Sequence, residues 1–207
     1  MCTRFFIDES QRELKQLMTM AKKNPLTKYF LREGHALITK GEIRPTNVVP
    51  VIAPTPDGKK SVYPMKWGFT DSEHGNIMFN ACSESAGDKP TFKESWCKRR
   101  CVIPSSYYYE WERFTSSDGR TKTGDKYLIQ PVDSEITWLC GLYRIENEFP
   151  VFVILTREPS EDISEIHDRM PVMIPSGKIS EWVSPEANPA EVMPYALTDM
   201  IMEQADR

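Results

Sequence analysis

Residues 101–112 read Cys-Val-Ile-Pro-Ser-Ser-Tyr-Tyr-Tyr-Glu-Trp-Glu, two short runs rich in β-branched and aromatic side chains on either side of a Ser-Ser step. Such runs, bounded by turn residues, are strand signals. They predict strands over Cys101 to Pro104 and Tyr107 to Glu112, and three more follow at Lys126 to Pro131, Ile136 to Leu142 and Val151 to Thr156. Together the five predict a β meander in the middle of the chain. The Ser, Thr, Gly and charge of Thr115 to Asp125 predict a hairpin loop within it. Earlier in the chain, Ala36 to Thr39, Asn47 to Ala53 and Val62 to Phe69 read as further strands, and Met170 to Ile174 as a late one. Helices are predicted over Ser10 to Lys23, where Leu14, Leu17, Met18 and Ala21 recur at helical spacing behind a Ser cap, and over Leu26 to Leu31, Phe92 to Lys98, Ser160 to Ile166 and Ser176 to Val183. The fold class expected is therefore α+β: a curved, barrel-like, mainly antiparallel sheet flanked by helices.

At 207 residues, 40% hydrophobic and 27% charged, the chain can bury a real core as one domain. No stretch reaches the ~18 uninterrupted apolar residues of a membrane span. Arg4, Asp8 and Glu9 stand where a signal peptide needs an apolar core, so a cytoplasmic protein is expected. The five cysteines, 2, 82, 97, 101 and 140, are odd in number and irregularly spaced, which reads as free thiols. Cys97 and Cys101 lack a second ligand pair at zinc-like spacing and are expected to be buried, as is Cys140 in Trp-Leu-Cys-Gly-Leu. The formal charge of −4 supplies no general attraction for nucleic acid, so phosphate binding would need a local basic groove. No phosphate loop, dinucleotide glycine motif or metal-binding His pair is present, and no metal or cofactor is expected.

Chemistry is suggested at four positions. Cys2 follows the initiator, and its small side chain favours removal of Met1, which would expose a 1,2-aminothiol. An amine of pKa about 8 beside a thiol of about 8.5 can attack one electrophilic carbon twice, an aldehyde above all, closing a thiazolidine. Position alone leaves open that Cys2 is an ordinary second residue. His167, in Ile-His-Asp-Arg-Met-Pro, sits where a loop can present an imidazole for proton transfer or for a structural hydrogen bond. Glu110, within an aromatic strand, is either a desolvated acid–base or an outward-facing carboxylate. Asn80 ends an apolar run, as a turn or site residue. The run Lys98-Arg99-Arg100 reads as a solvated helix end, or, with Trp67, Trp111, Arg4 and Arg169, as phosphate contacts and stacking faces for single-stranded nucleic acid.

Taken in order, Met-Cys-Thr-Arg-Phe at the start, Pro45-Thr46-Asn47 through Pro50, Lys66-Trp67-Gly68-Phe69, Phe79-Asn80-Ala81, Tyr109-Glu110-Trp111 and Ile166-His167-Asp168-Arg169-Met170-Pro171 resemble the motifs of the SRAP family, the SOS response-associated peptidases. The resemblance implies a single SRAP domain over residues 1–207 and the shielding of abasic sites in single-stranded DNA. It assigns Cys2 as crosslinking nucleophile, Glu110 to proton transfers including those of Met1 removal, Asn80 to orienting the N-terminal residue, and His167 to the sugar hydroxyl. Arg4, Trp67, Trp111 and Arg169 would hold flanking phosphates and bases. A monomer is expected, with lyase activity through the imine as a further implication. Thr3 stands where the family has Gly, and Cys82 where it has Arg. Two other functions fit the same residues: an N-terminal-nucleophile peptidase or amidohydrolase, and a non-catalytic single-strand binding module.

Overall fold

The computed structural model describes residues 2–71, 74–116 and 118–205. Strand β1 (Arg4–Ile7) is followed by helices α1 (Arg12–Lys23) and α2 (Pro25–Arg32), then by β2 (Gly41–Ile43), β3 (Val48–Pro54) and β4 (Lys60–Trp67), and by the short β5 (Phe69–Thr70), β6 (Ile77–Met78) and β7 (Asn80–Cys82). Helices α3 (Ser83–Ala86) and α4 (Pro90–Lys98) lead into the long strands β8 (Arg100–Ser105), β9 (Tyr107–Thr115), β10 (Thr121–Pro131), β11 (Thr137–Glu146) and β12 (Phe149–Arg157). The remainder holds α5 (Glu161–Ser164), β13 (Met170–Pro171), α6 (Ile179–Val183), α7 (Pro189–Val192) and β14 (Met200–Gln204).

Strands β11, β8, β3, β4 and β12 pair in that order, and β12 pairs back onto β11, closing a barrel. Its ladders are antiparallel except β12 to β4. β8 is buried at every position and β12 at seven consecutive ones, as expected of strands covered on both faces. A second, wholly antiparallel sheet runs β14-β10-β9-β1-β2. Thus the α+β class and barrel-like sheet read from the sequence are present. The meander is not, because β8 and β9 enter different sheets. Ser106 is the corner between them: its N–H donates to Phe6 O at 2.8 Å, its carbonyl accepts from Thr137 Oγ1 at 2.9 Å, and its Oγ accepts from Asp8 N at 2.9 Å.

Local deviations have local causes. The Ala36 to Thr39 segment makes only the bridge Leu37–Val48, and Met170 to Ile174 is interrupted at Pro171. α1 begins at Arg12 with Gln11 at its cap, because Ser10 is drawn into a turn in which its N–H donates to Asp8 Oδ1. α1 still buries Leu14, Met18 and Ala21. α5 has only four residues and Ser160 makes no side-chain cap bond, while Ser176–Lys178 forms a 3₁₀ turn ahead of α6. The Thr115 to Asp125 loop is shorter than read, since the β9–β10 ladder extends to Thr115–Thr121 with an irregularity between Thr123 and Lys126. Cys97 is exposed, because α4 turns Phe92 and Ser95 inward instead.

Arg100 is fully buried rather than solvated. Its guanidinium donates to Trp182 O, Trp96 O, Cys97 O and Ala187 O at 2.6–2.7 Å and to Ser184 O. The carbonyls of Trp96, Cys97, Trp182 and Ser184 lie at the C-terminal ends of α4 and α6, where unpaired oxygens and the helix dipole both favour a cation, while Ala187 lies between α6 and α7. One side chain therefore pins two helices to the barrel.

Candidate functional site

Cys2 is completely buried two residues ahead of β1, with its thiol donating to Arg4 O at 3.6 Å. Burial pushes this thiol well above its ordinary range, so it is held protonated at neutral pH rather than partly ionised as position alone suggested. Asn80, at the start of β7, lies parallel to β12 in register with Ile154. Its Nδ2 donates to the Cys2 carbonyl at 3.0 Å. Asn80 is therefore no turn residue: it links the barrel edge to the chain start. Its Oδ1 is buried and has no hydrogen-bond partner among the described residues.

Glu110 lies on β9, the strand that pairs with β1 through Arg4–Tyr109 and Phe5–Tyr108. It is 4% exposed, which rejects the outward-facing alternative, and Oε1 accepts from Trp111 N at 3.3 Å. Desolvation raises its pKa, fitting it to hold and release a proton. The charge of Glu110 is in turn among the causes that raise the Cys2 thiol, after burial.

His167 follows α5 and is 2% exposed, its N–H donating to Ile163 O at 2.9 Å. Its loop is tied to β9 by Arg113 N donating to Ile166 O at 2.9 Å. Burial chiefly lowers its pKa, to about 4, so the ring is neutral at pH 7. Nδ1 lies 3.0 Å from Arg169 N and 2.7 Å from Asp168 Oδ1, so it can accept from the one or donate to the other, and the proton can sit on either ring nitrogen.

The groups expected to meet nucleic acid are placed less uniformly. Arg4 and Trp111 line one cleft together with Glu42, Arg44 and Lys126. Arg169 lies elsewhere: its Nη2 donates to Glu84 Oε2 at 2.7 Å and to Thr156 O at 2.8 Å, and its Nε has no partner among the described residues. Trp67 offers no stacking face. It is fully buried between Phe5 and Phe152, with Nε1 donating to Phe79 O at 2.9 Å. The adjoining Gly68 has φ +130°, and a Cβ there would collide with Ile77, so this Trp-Gly pair is a packing device. Glu42 and Lys126 were missed because single charges on short or loop-flanking strands carry no periodic signal. No group of three or more metal-ligating side chains is found among the described residues, and no helix there is long and apolar enough to cross a membrane.

Comparison with known proteins places this arrangement in context. The abasic site processing protein YoaM of Bacillus subtilis is 32% identical over 181 residues, 78% of each chain. The abasic site processing protein YedK of Escherichia coli is 23% identical over 146 residues, covering 67% of this chain and 62% of that one. The fold also matches an X-ray crystal structure of a Bacteroides thetaiotaomicron protein with TM-score 0.75 at 18% identity, over 100% of this chain and 93% of that one. The model of the SOS response associated peptidase (SRAP) family matches residues 1–205, and the chain belongs to that family.

Proposed function

We propose that this protein processes abasic sites by capturing them covalently in single-stranded DNA through Cys2, acting as a monomeric SRAP domain. The observation that carries the reading is the convergence on Cys2 of residues distant in sequence. Asn80 holds its carbonyl from the barrel side, while Glu110 stands buried on the strand next to β1. The names of the relatives, abasic site processing proteins, agree with this substrate.

Loss of Met1 exposes the α-amine of Cys2. The amine adds to the aldehyde carbon of the ring-opened deoxyribose and expels water, giving an imine. Sulfur then adds to the same carbon while the thiol proton ends on nitrogen, closing a thiazolidine with net release of one water. Because burial keeps the thiol protonated, the amine attacks first and the thiol closes second. Glu110 moves protons at the amine and at the departing water, Asn80 fixes the carbonyl of Cys2, and the neutral His167 serves the sugar hydroxyl. Arg4 and Trp111 receive the flanking strand, and Arg169 is assigned to a flanking phosphate. Removal of Met1 is assigned to the same carboxylate. Elimination from the imine gives a slow strand-cleaving lyase side reaction.

The test mixes Met1-processed protein with single-stranded DNA bearing one abasic site, beside Cys2→Ala, on a denaturing gel. A heat-stable shifted band that needs Cys2 is expected. Its absence from correctly processed protein overturns the reading and directs the search to a peptide or amide electrophile.

A further inference from the structure

The cleft beside Cys2 holds an unusual arrangement of charge. Glu42 on β2 stands among three cations on three segments: it accepts a hydrogen bond from Arg44 Nε at 2.9 Å and forms ion pairs with Arg4 Nε at 3.0 Å and Lys126 Nζ at 3.6 Å. Lys126 also lies 3.7 Å from the Tyr109 ring centroid and 5.6 Å from that of Trp111. Three positive groups around one carboxylate leave a net charge of about +2, beside the indole of Trp111. Arg4 lies only two residues of extended chain from Cys2, about 6.6 Å. A strand whose sugar reaches Cys2 therefore brings a flanking phosphodiester to this cluster.

The Glu42 carboxylate presents to these cations the same kind of oxygens that a phosphodiester would. We infer that Glu42 is a specificity-determining residue that competes with the DNA backbone for Arg4, Arg44 and Lys126, weakening the hold on undamaged strands so that retention depends on the covalent step at Cys2. This inference rests on the proposed capture of abasic DNA. Each cation it occupies is withheld from a phosphate. The cluster thus contributes less to non-covalent affinity, and less to the salt dependence of that affinity, than its number of cations would supply. Burial alone would push the Glu42 carboxyl up, but the hydrogen bond and charge of Arg44, with the charges of Lys126 and Arg4, outweigh it and hold it below the usual range. The competitor is therefore anionic at neutral pH.

The experiment measures binding of undamaged single-stranded oligonucleotide to wild type, Glu42→Gln, Glu42→Ala and the remote control Glu191→Gln over a range of salt, with capture of abasic DNA by wild type alongside. Glu191 is exposed on α7, and its replacement removes the same formal charge. Both Glu42 variants are expected to bind undamaged DNA about fivefold more tightly at low salt. Their slope of log affinity against log salt should steepen by roughly 0.7, the value of one further phosphate neutralised on a single strand. Glu191→Gln should match wild type. If both Glu42 variants bind equally or more weakly, or if Glu191→Gln reproduces the gain, Glu42 is a scaffold or a bulk charge and the inference is overturned while capture by wild type still stands. If wild type fails to capture abasic DNA, the proposed function fails, and the salt slopes still decide whether Glu42 competes for anions.

Discussion

The closed barrel and the open sheet beside it are made of strands of comparable length but opposite surroundings. β12 of the barrel is buried along seven consecutive residues, whereas β10 of the sheet buries only Ile129 and Pro131 of its eleven. In the barrel, the buried cation Arg100 is spent wholly on backbone carbonyls, four of them at helix ends. In the sheet, the cations Arg4 and Lys126 gather around a solvent-reached carboxylate. The candidate site uses both parts. The sheet supplies Cys2 and Glu110, and the barrel's β12 edge supplies Asn80 directly and His167 through the loop before β13. Hydrogen bonds from Asn80 to Cys2 O and from Arg113 N to Ile166 O stitch the two together. In the proposed function the labour divides accordingly: the more deeply buried part is assigned the positioning amide, and the more exposed part the nucleophile and the contact with the strand.

Breaking the barrel should have the largest effect. Arg100→Met leaves five carbonyls, most of them partly buried, without this donor and should cost about 3–5 kcal/mol in chemical denaturation; a loss under 1 kcal/mol would mean the helices are held otherwise. Breaking the seam comes next. Asn80→Ala should slow adduct formation roughly a hundredfold while leaving the melting temperature within a few degrees, and an unchanged rate would remove Asn80 from the site.

His167 gives the seam a pH signature. The unfolded chain takes up its proton near the ordinary value of 6.5, the folded one only near 4. Folding stability from this group is thus complete above pH 6.5 and falls as pH drops toward 4, by on the order of 3 kcal/mol. Denaturant titrations of wild type and His167→Gln should differ in slope across that window, and parallel curves would contradict a buried neutral ring. On the sheet, Trp111→Ala should weaken binding of undamaged single-stranded DNA by about tenfold without unfolding, the worth of one stacked base. Smallest of all, Lys22→Ala, which breaks the exposed pair with Glu9, should change stability by less than about 1 kcal/mol.

Much of this division was legible in the chain. Runs of β-branched and aromatic residues marked the long strands, and the helical spacing of Leu14, Met18 and Ala21 marked α1, because both patterns record one buried face. Cys2, Asn80, Glu110 and His167 were visible as motifs, though nothing local showed that Asn80 would reach Cys2. Pairing across long separations left no trace: the split at Ser106 and the parallel seating of β7 on β12 are set by tertiary partners. Side-chain environment was misread where chemistry and location diverge. Trp67 and Arg100 resemble nucleic-acid contacts by type and are packed inside, while Cys97 resembles a buried thiol and faces water.

The most direct test of the central claim is mass spectrometry of the adduct formed on single-stranded DNA with one abasic site, followed by peptide mapping. The account predicts that the modified peptide begins at Cys2, lacks Met1, carries the lesion with net loss of one water, and gains no hydrogen on borohydride treatment because the ring is a thiazolidine rather than an imine. An adduct on Cys82, on Cys97 or on a lysine, or one on a peptide that retains Met1, would contradict it.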